Sequence, residues 1–121
     1  MNKTIIVKTD GTLVEQEYGD KERCPLEALQ KAVGGYIEAV PHFDSYKGEI
    51  ATMYCNEESK LQSNWLDTYN EEATRLWAEA MGITLPKEMS WKEPITVGSF
   101  IGDILVGDCI IVTGTRKFVY G

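Results

Sequence analysis

The apolar residues of this chain fall into short runs separated by glycine-containing turns, and this pattern limits the possible folds most strongly. Residues 4–8 and 12–18 form two such runs, joined by Asp10-Gly11. Asp-Gly between two β-prone runs is typical of a tight hairpin, because glycine readily adopts the positive φ that the turn needs. The first eighteen residues are therefore predicted to form a β-hairpin.

A short helix is predicted over about residues 25–33, where Pro25 takes the first helical position and apolar residues recur at helical spacing. Gly34 follows and is the expected C-terminal residue in the left-handed conformation. Gly35 comes next in the stretch KAVGGYIEAV, and helix termination does not require it. Its missing side chain indicates close packing against a neighbouring strand or helix, or access for a ligand beside Tyr36.

Two strands are predicted after this helix, over residues 36–40 and 49–55. Pro41 ends the first strand or places it at a sheet edge, because proline has no N–H to donate. The polar residues 41–48 form a loop between the strands, and residues 56–60 form a turn after the second.

The strongest helical pattern covers about residues 69–81. Thr68 and Glu71 have the spacing of a capping box, and Gly82 is expected to end the helix. The apolar stripe, which places Trp77 in the core, consists of Ala73, Leu76, Trp77, Ala80 and Met81.

The last third of the chain is predicted to add short strands. Two Gly-Asp dipeptides separate apolar runs, residues 109–113 read as a buried strand, and Gly114 indicates a final hairpin into residues 117–120. The total is six or seven short strands and two helices without βαβ alternation. This order favours an α+β fold with a mainly antiparallel sheet, as a single domain over residues 1–121.

Composition excludes some classes of function. The 121 residues are 43% apolar and 26% charged, which is typical of a folded domain. Twelve basic residues stand against nineteen acidic ones, giving a net charge of −7, and the basic residues are scattered. Because nucleic-acid binding needs a basic patch, no direct nucleic-acid partner is expected. The acidic balance indicates either simple solubility or attraction to a basic partner.

The cysteines and the apolar runs indicate the cellular compartment in which the protein is expected. Cys24, Cys55 and Cys109 make an odd count without a C-x-x-C pair, which is typical of reduced thiols in the cytosol. No apolar run approaches the roughly 20 residues of a membrane helix, and the first residues lack a signal-peptide pattern. A soluble, cytoplasmic protein without a membrane partner is expected.

Catalytic and metal-binding patterns are weak. His42 is the single histidine, and Asp44 would have to orient it as a base for a Cys55 nucleophile, whereas a loop histidine and a buried thiol are the more ordinary interpretation. Cysteine and histidine spacing does not match zinc sites, and no calcium loop is present, so no metal or cofactor is predicted. Gly34-Gly35 closes a helix instead of opening one, which excludes a phosphate-binding loop.

Five residues are candidate ligand contacts: Gly35, Tyr36, Asn56, Asn64 and Trp65. Asparagine both donates and accepts hydrogen bonds, and the aromatic rings can stack on a flat ligand. The alternative is structural, with Asn56 in a turn conformation and Asn64 capping a loop.

Three segments, LQKAVGGYIEAV, YCNEESKL with Asn64 just beyond it, and IGDILVGDCIIVTG, together resemble a family of small uncharacterised domains. These domains are encoded by bacteriophages, plasmids and other mobile elements of bacteria. The resemblance spans about residues 26–114. The leading hairpin, residues 41–48 and residues 85–93 depart from the family pattern in length or content. It implies the setting of a bacterial host cell and carries no established activity or catalytic residues.

The leading hypothesis is therefore a non-enzymatic accessory binding protein of a phage or mobile element, acting on a host protein or defence system. The second hypothesis is a binding or sequestering protein for a nucleotide-like small molecule. The third is a Cys/His hydrolase. Oligomeric state stays open.

Overall fold

The computed structural model describes residues 1–61 and 65–121, with Trp65 described only in its backbone. Six strands and four helices lie in these ranges: β1 Asn2–Val7, β2 Leu13–Gly19, α1 Leu26–Val33, β3 Ile37–Ala39, β4 Ser45–Tyr46, β5 Glu49–Asn56, α2 Glu71–Ala80, α3 Pro94–Ile101, β6 Cys109–Thr113 and α4 Arg116–Tyr120. Short 3₁₀ turns at Ser59–Leu61 and Trp65–Thr68 connect β5 to α2. None of the helices in the described ranges is long and apolar enough to cross a membrane.

The strands form one sheet in the order β2-β1-β6-β5-β3, with β4 pairing beside β5. All the pairings between these strands are antiparallel. The α+β fold with a mainly antiparallel sheet is thus confirmed, and so is the opening hairpin, in which Ile5 lies opposite Glu15.

Alternate residues of the central strand β6 point to opposite faces of the sheet and contribute to two apolar cores. Cys109 lies in the core that the sheet forms with α2, where it is joined by Trp77. Ile110 lies in the core under α1 and α4, where it is joined by Phe118. Because each fully buried apolar side chain contributes about 1.5–3 kcal/mol, this strand with its five buried residues anchors both layers.

The helices α1 and α2 end at the glycines that were predicted to end them. Gly34 ends α1 in the left-handed conformation with φ 78°. Gly82 follows α2 with φ 74°, and Ile83 N–H donates to Ala78 O at 2.9 Å, so that the last turn closes in a Schellman motif.

The start of α2 differs from the prediction. The N-cap is Asn70, whose Oδ1 accepts from Ala73 N–H at 2.9 Å, and the helix begins at Glu71. Thr68 lies in the preceding 3₁₀ turn, so the predicted capping box from Thr68 to Glu71 was wrong. Asn70 takes this position because its amide group also bonds to two other parts of the fold.

Two segments predicted as strands are helices. In α3, Pro94 stands at the first helical turn and Gly102 follows the last one with φ 100°. In α4, Thr115 is the N-cap and its Oγ1 accepts from Phe118 N–H at 3.2 Å. The predicted final hairpin was wrong because burial of Phe118 and Val119 against the sheet selects a helical turn after Gly114.

Candidate functional site

Gly35 lies where the backbone after α1 closely approaches the turn after β5. A Cβ at Gly35 would lie 2.8 Å from Asn56 Nδ2. This amide group donates to Val33 O at 3.2 Å, at the end of α1, while Asn56 Oδ1 accepts from Glu58 N–H at 2.8 Å. Gly35 is therefore needed because the Asn56 side chain crosses it to hold the helix end and the turn together.

The structure brings together three of the five residues that were predicted to contact a ligand. The structure brings Gly35 and Asn56 together with Tyr36, a residue that is 68% exposed and whose carbonyl accepts from Glu57 N–H at 3.1 Å. The Asn56 amide bonds within the fold through both its nitrogen and its oxygen. Asn64 lies outside the described residues, and so does the side chain of Trp65.

A cleft of about 210 Å³ opens beside Asn56, between the β3 edge and the segment that leads into β6. Three segments form most of its wall: residues 38–41, residues 55–60 and residues 103–106, with Trp77 of α2 between them. Apart from Pro41 and Trp77, the wall residues belong to the three segments that carry the sequence resemblance. We call this feature the motif cleft.

The motif cleft combines an apolar floor with an acidic rim. Val40, Trp77 and Leu105 are buried in its floor, and Trp77 Nε1–H donates to Pro41 O at 2.7 Å. Its charged lining residues, all exposed, are the carboxylates Glu38, Glu57 and Asp103 and the ammonium group of Lys60. Lys60 pairs with Asp103. The rim therefore keeps a net negative charge after this ion pair is formed.

Comparison with known families gives a match to DUF3846, a domain of unknown function, over residues 1–119. The chain belongs to the DUF3846 family. The match includes the leading hairpin and all of the segments that line the motif cleft. No curated protein and no solved structure is significantly similar to the chain.

Sequence reasoning missed several residues of the motif cleft in this DUF3846 chain. Trp77 was assigned only to the core, and Lys60 and Asp103 were placed in turns. The available signal was the resemblance itself, because segments that share a family pattern and lie far apart in sequence often meet at one place in the fold. No local pattern identifies Lys60 and Asp103 as ion-pair partners.

The catalytic hypothesis gains no support from the geometry of the DUF3846 chain. Burial raises the pKa of the Cys55 thiol to about 11, and the nearby carboxylates of Glu38 and Asp103 raise it too. Cys55 is therefore a neutral thiol near pH 7 and a weak nucleophile. His42 is exposed, with φ 65°, and does not line the motif cleft. Among the described residues, no group of His, Cys, Asp and Glu side chains can hold a metal ion.

A larger groove of about 580 Å³ lies between α2 and residues 43–48. None of the three segments that carry the resemblance lines it. The charged side chains that α2 contributes to this groove already pair with one another. Arg75 donates to Glu72 at 2.8 and 2.6 Å and lies 3.7 Å from Glu79. The motif cleft is therefore the better candidate site in this DUF3846 domain.

Replacing Gly35 by alanine is expected to lower the free energy of unfolding by about 1 kcal/mol, because the new Cβ displaces the Asn56 amide from Val33 O. Urea denaturation of the purified protein measures this change. In an Asn56→Ala background the amide group is absent, so Gly35→Ala should lower the free energy of unfolding by much less. An equal cost in both backgrounds would contradict the contact between Gly35 and Asn56.

Proposed function

We propose that this DUF3846 chain is a non-enzymatic binding protein that engages a partner protein through the motif cleft. The observation that carries the proposal is the convergence of the three resemblance segments on this cleft, where an acidic rim surrounds an apolar floor. The lining residues that the structure describes favour binding over catalysis, because they include no activated nucleophile and no paired acid and base.

The size and lining of the motif cleft favour one long basic side chain as its occupant. Small-molecule sites usually enclose about 300–1,000 Å³, and this cleft has about 210 Å³. Lysine and arginine combine an apolar stem with a charged end. The stem would contact Trp77 and Leu105, and the charge would lie at the rim near Glu38 and Glu57.

The chain as a whole supports a basic partner. Its net charge of −7 attracts cationic surfaces over a distance of about 10 Å at moderate salt. The resemblance to domains of phages and other mobile elements favours a host protein, including a component of host defence, as the partner. A nucleotide-like ligand is the second hypothesis, and it loses support because the Asn56 amide already bonds within the fold.

Reversing one rim charge tests this function. Glu57→Lys is expected to weaken binding of the partner by about tenfold at low salt, which corresponds to about 1.4 kcal/mol. Glu88→Lys is the matched control, because Glu88 is also exposed and does not line the cleft. Tagged wild type and both variants are used to capture proteins from host lysate, and each captured protein is then purified and its Kd measured.

The expected result is a partner that binds the wild type and Glu88→Lys alike and binds Glu57→Lys more weakly. The difference should shrink as salt is added, since exposed charges are screened. If every captured protein binds the two variants equally, the motif cleft is not the binding site.

A further inference from the structure

Two of the three cysteines lie on neighbouring strands, each one step beyond the last residue pair of the register between β5 and β6. In the register of β5 and β6, Met53 pairs with Ile111 and Tyr54 pairs with Ile110. The paired residues end there, and continuing the same register by one step within β5 and β6 brings Cys55 opposite Cys109. Both side chains point to the face of the sheet that α2 covers, where Cys109 is buried in the core and Cys55 packs against it.

The hydrogen-bond pattern of the ladder sets the spacing expected for this pair when the register is continued to it. Gly114 N–H donates to Ile50 O at 3.2 Å, so these two residues form a hydrogen-bonded pair in the register of β5 and β6. Hydrogen-bonded and non-hydrogen-bonded pairs alternate along an antiparallel ladder, which makes Cys55 and Cys109 a non-hydrogen-bonded pair. Such pairs have Cα atoms about 4.5 Å apart, within the span of about 4.4–6.8 Å that a disulfide bridges.

We infer that Cys55 and Cys109 form a redox-sensitive pair, which closes into a cross-strand disulfide when it meets a small disulfide oxidant of the glutathione type. Cys55 is the point of entry because it lines the motif cleft, whereas Cys109 is fully buried. This inference does not depend on the proposed binding function.

The reaction consists of two thiol–disulfide exchanges. Cys55 loses its proton to solvent and attacks one sulfur of oxidised glutathione, which forms a mixed disulfide and releases one glutathione thiolate. Cys109 then loses its proton and attacks the Cys55 sulfur, which forms the protein disulfide and releases the second glutathione thiolate. Two protein thiols are oxidised, and one glutathione disulfide is reduced to two thiols.

The third cysteine is an internal control. Cys24 packs against the core on the opposite face of the sheet, beside α1 and α4. Burial raises the pKa of Cys24 to about 11, as it does for Cys55, so both are neutral thiols near pH 7. Only Cys55 has a second thiol opposite it, so only Cys55 can resolve its mixed disulfide within the chain.

The native protein is incubated with oxidised glutathione at mildly alkaline pH, alkylated, digested without reduction and mapped by mass spectrometry. The expected product is a peptide pair linked from Cys55 to Cys109, with the intact protein lighter by two hydrogen atoms. The Cys109→Ala variant should instead accumulate the mixed disulfide at Cys55, while Cys24→Ser should form the same link as the wild type.

Three results would overturn the inference. These are a stable glutathione adduct at Cys55 of the wild type without the link, a link that involves Cys24, and no reaction while a small reference thiol is consumed. A parallel reaction in urea shows whether any link needs unfolding; a link that forms only there also counts against the inference. Circular dichroism of each variant before oxidation confirms that it is folded.

Discussion

Replacing Asn70 by alanine is expected to lower the free energy of unfolding by about 3 kcal/mol, the sum of a lost helix cap and two lost hydrogen bonds to backbone carbonyls of about 1 kcal/mol each. Asn70 is fully buried, and its Oδ1 accepts from Ala73 N–H at 2.9 Å at the start of α2. Its Nδ2 donates to Val7 O at 2.8 Å and to Gly107 O at 2.9 Å. One amide group thus ties α2 to β1 and to the segment before β6.

Urea denaturation distinguishes this network from simple capping. Asn70→Asp keeps an oxygen for the cap but has no N–H to donate, and it places a carboxylate against the carbonyls of Val7 and Gly107. It should therefore destabilise the fold at least as much as Asn70→Ala. Thr115→Ala, which removes only the cap of α4, should cost about 1 kcal/mol. If Asn70→Asp is as stable as the wild type, the donated bonds do not matter.

Replacing Gly114 by alanine is expected to cost about 3 kcal/mol or more, through a backbone clash together with conformational strain. A Cβ at Gly114 would lie 2.8 Å from Asn2 Cα, and the residue has φ 143°. Asn2 is held in place, because its Nδ2 donates to Lys21 O at 2.9 Å and its Oδ1 accepts from Thr115 N–H at 2.9 Å. The start of β1 would have to move away from α4.

Gly11→Ala is the matched control for Gly114→Ala. Gly11 also has positive φ, at 89°, but a Cβ there meets no atom within 4 Å. This variant isolates the conformational strain and should cost about 1 kcal/mol. Urea and thermal denaturation of both variants give the comparison. Equal losses would show that the close approach to Asn2 is unimportant.

Local signals predicted much of the sheet and the ends of two helices. Three signals depend only on neighbouring residues and can therefore be recognised in the sequence. They are the alternation of buried residues, the Asp10-Gly11 turn, and the glycines after α1 and α2. In α3 two local signals conflicted. The β-branched run of residues 95–97 favours a strand, whereas Pro94 and Gly102 favour helix ends, and burial of Val97 accompanies the helical solution.

Long-range contacts explain what sequence reasoning missed. Thr68 and Asn70 are both acceptable N-caps, and the choice depends on carbonyl groups of Val7 and Gly107 that the chain brings close only on folding. Close packing at Gly35 was one of two alternatives, the other being access for a ligand beside Tyr36, and the packing partner Asn56 was not predicted. The motif cleft likewise arises when three distant segments meet, so only its separate parts could be recognised beforehand.

A direct measurement on the motif cleft uses Nα-acetyl-arginine amide as the probe and the uncharged citrulline analogue as its control. Arginine is expected to shift the NMR signals of Trp77 Nε1–H and of the Ala39 and Leu105 amides in a saturable way, with a Kd of about 1 mM. Citrulline should shift them less, and the Glu57→Lys variant should respond weakly to arginine. Equal responses to both probes, or shifts confined to residues outside the cleft, would contradict a site for a basic side chain.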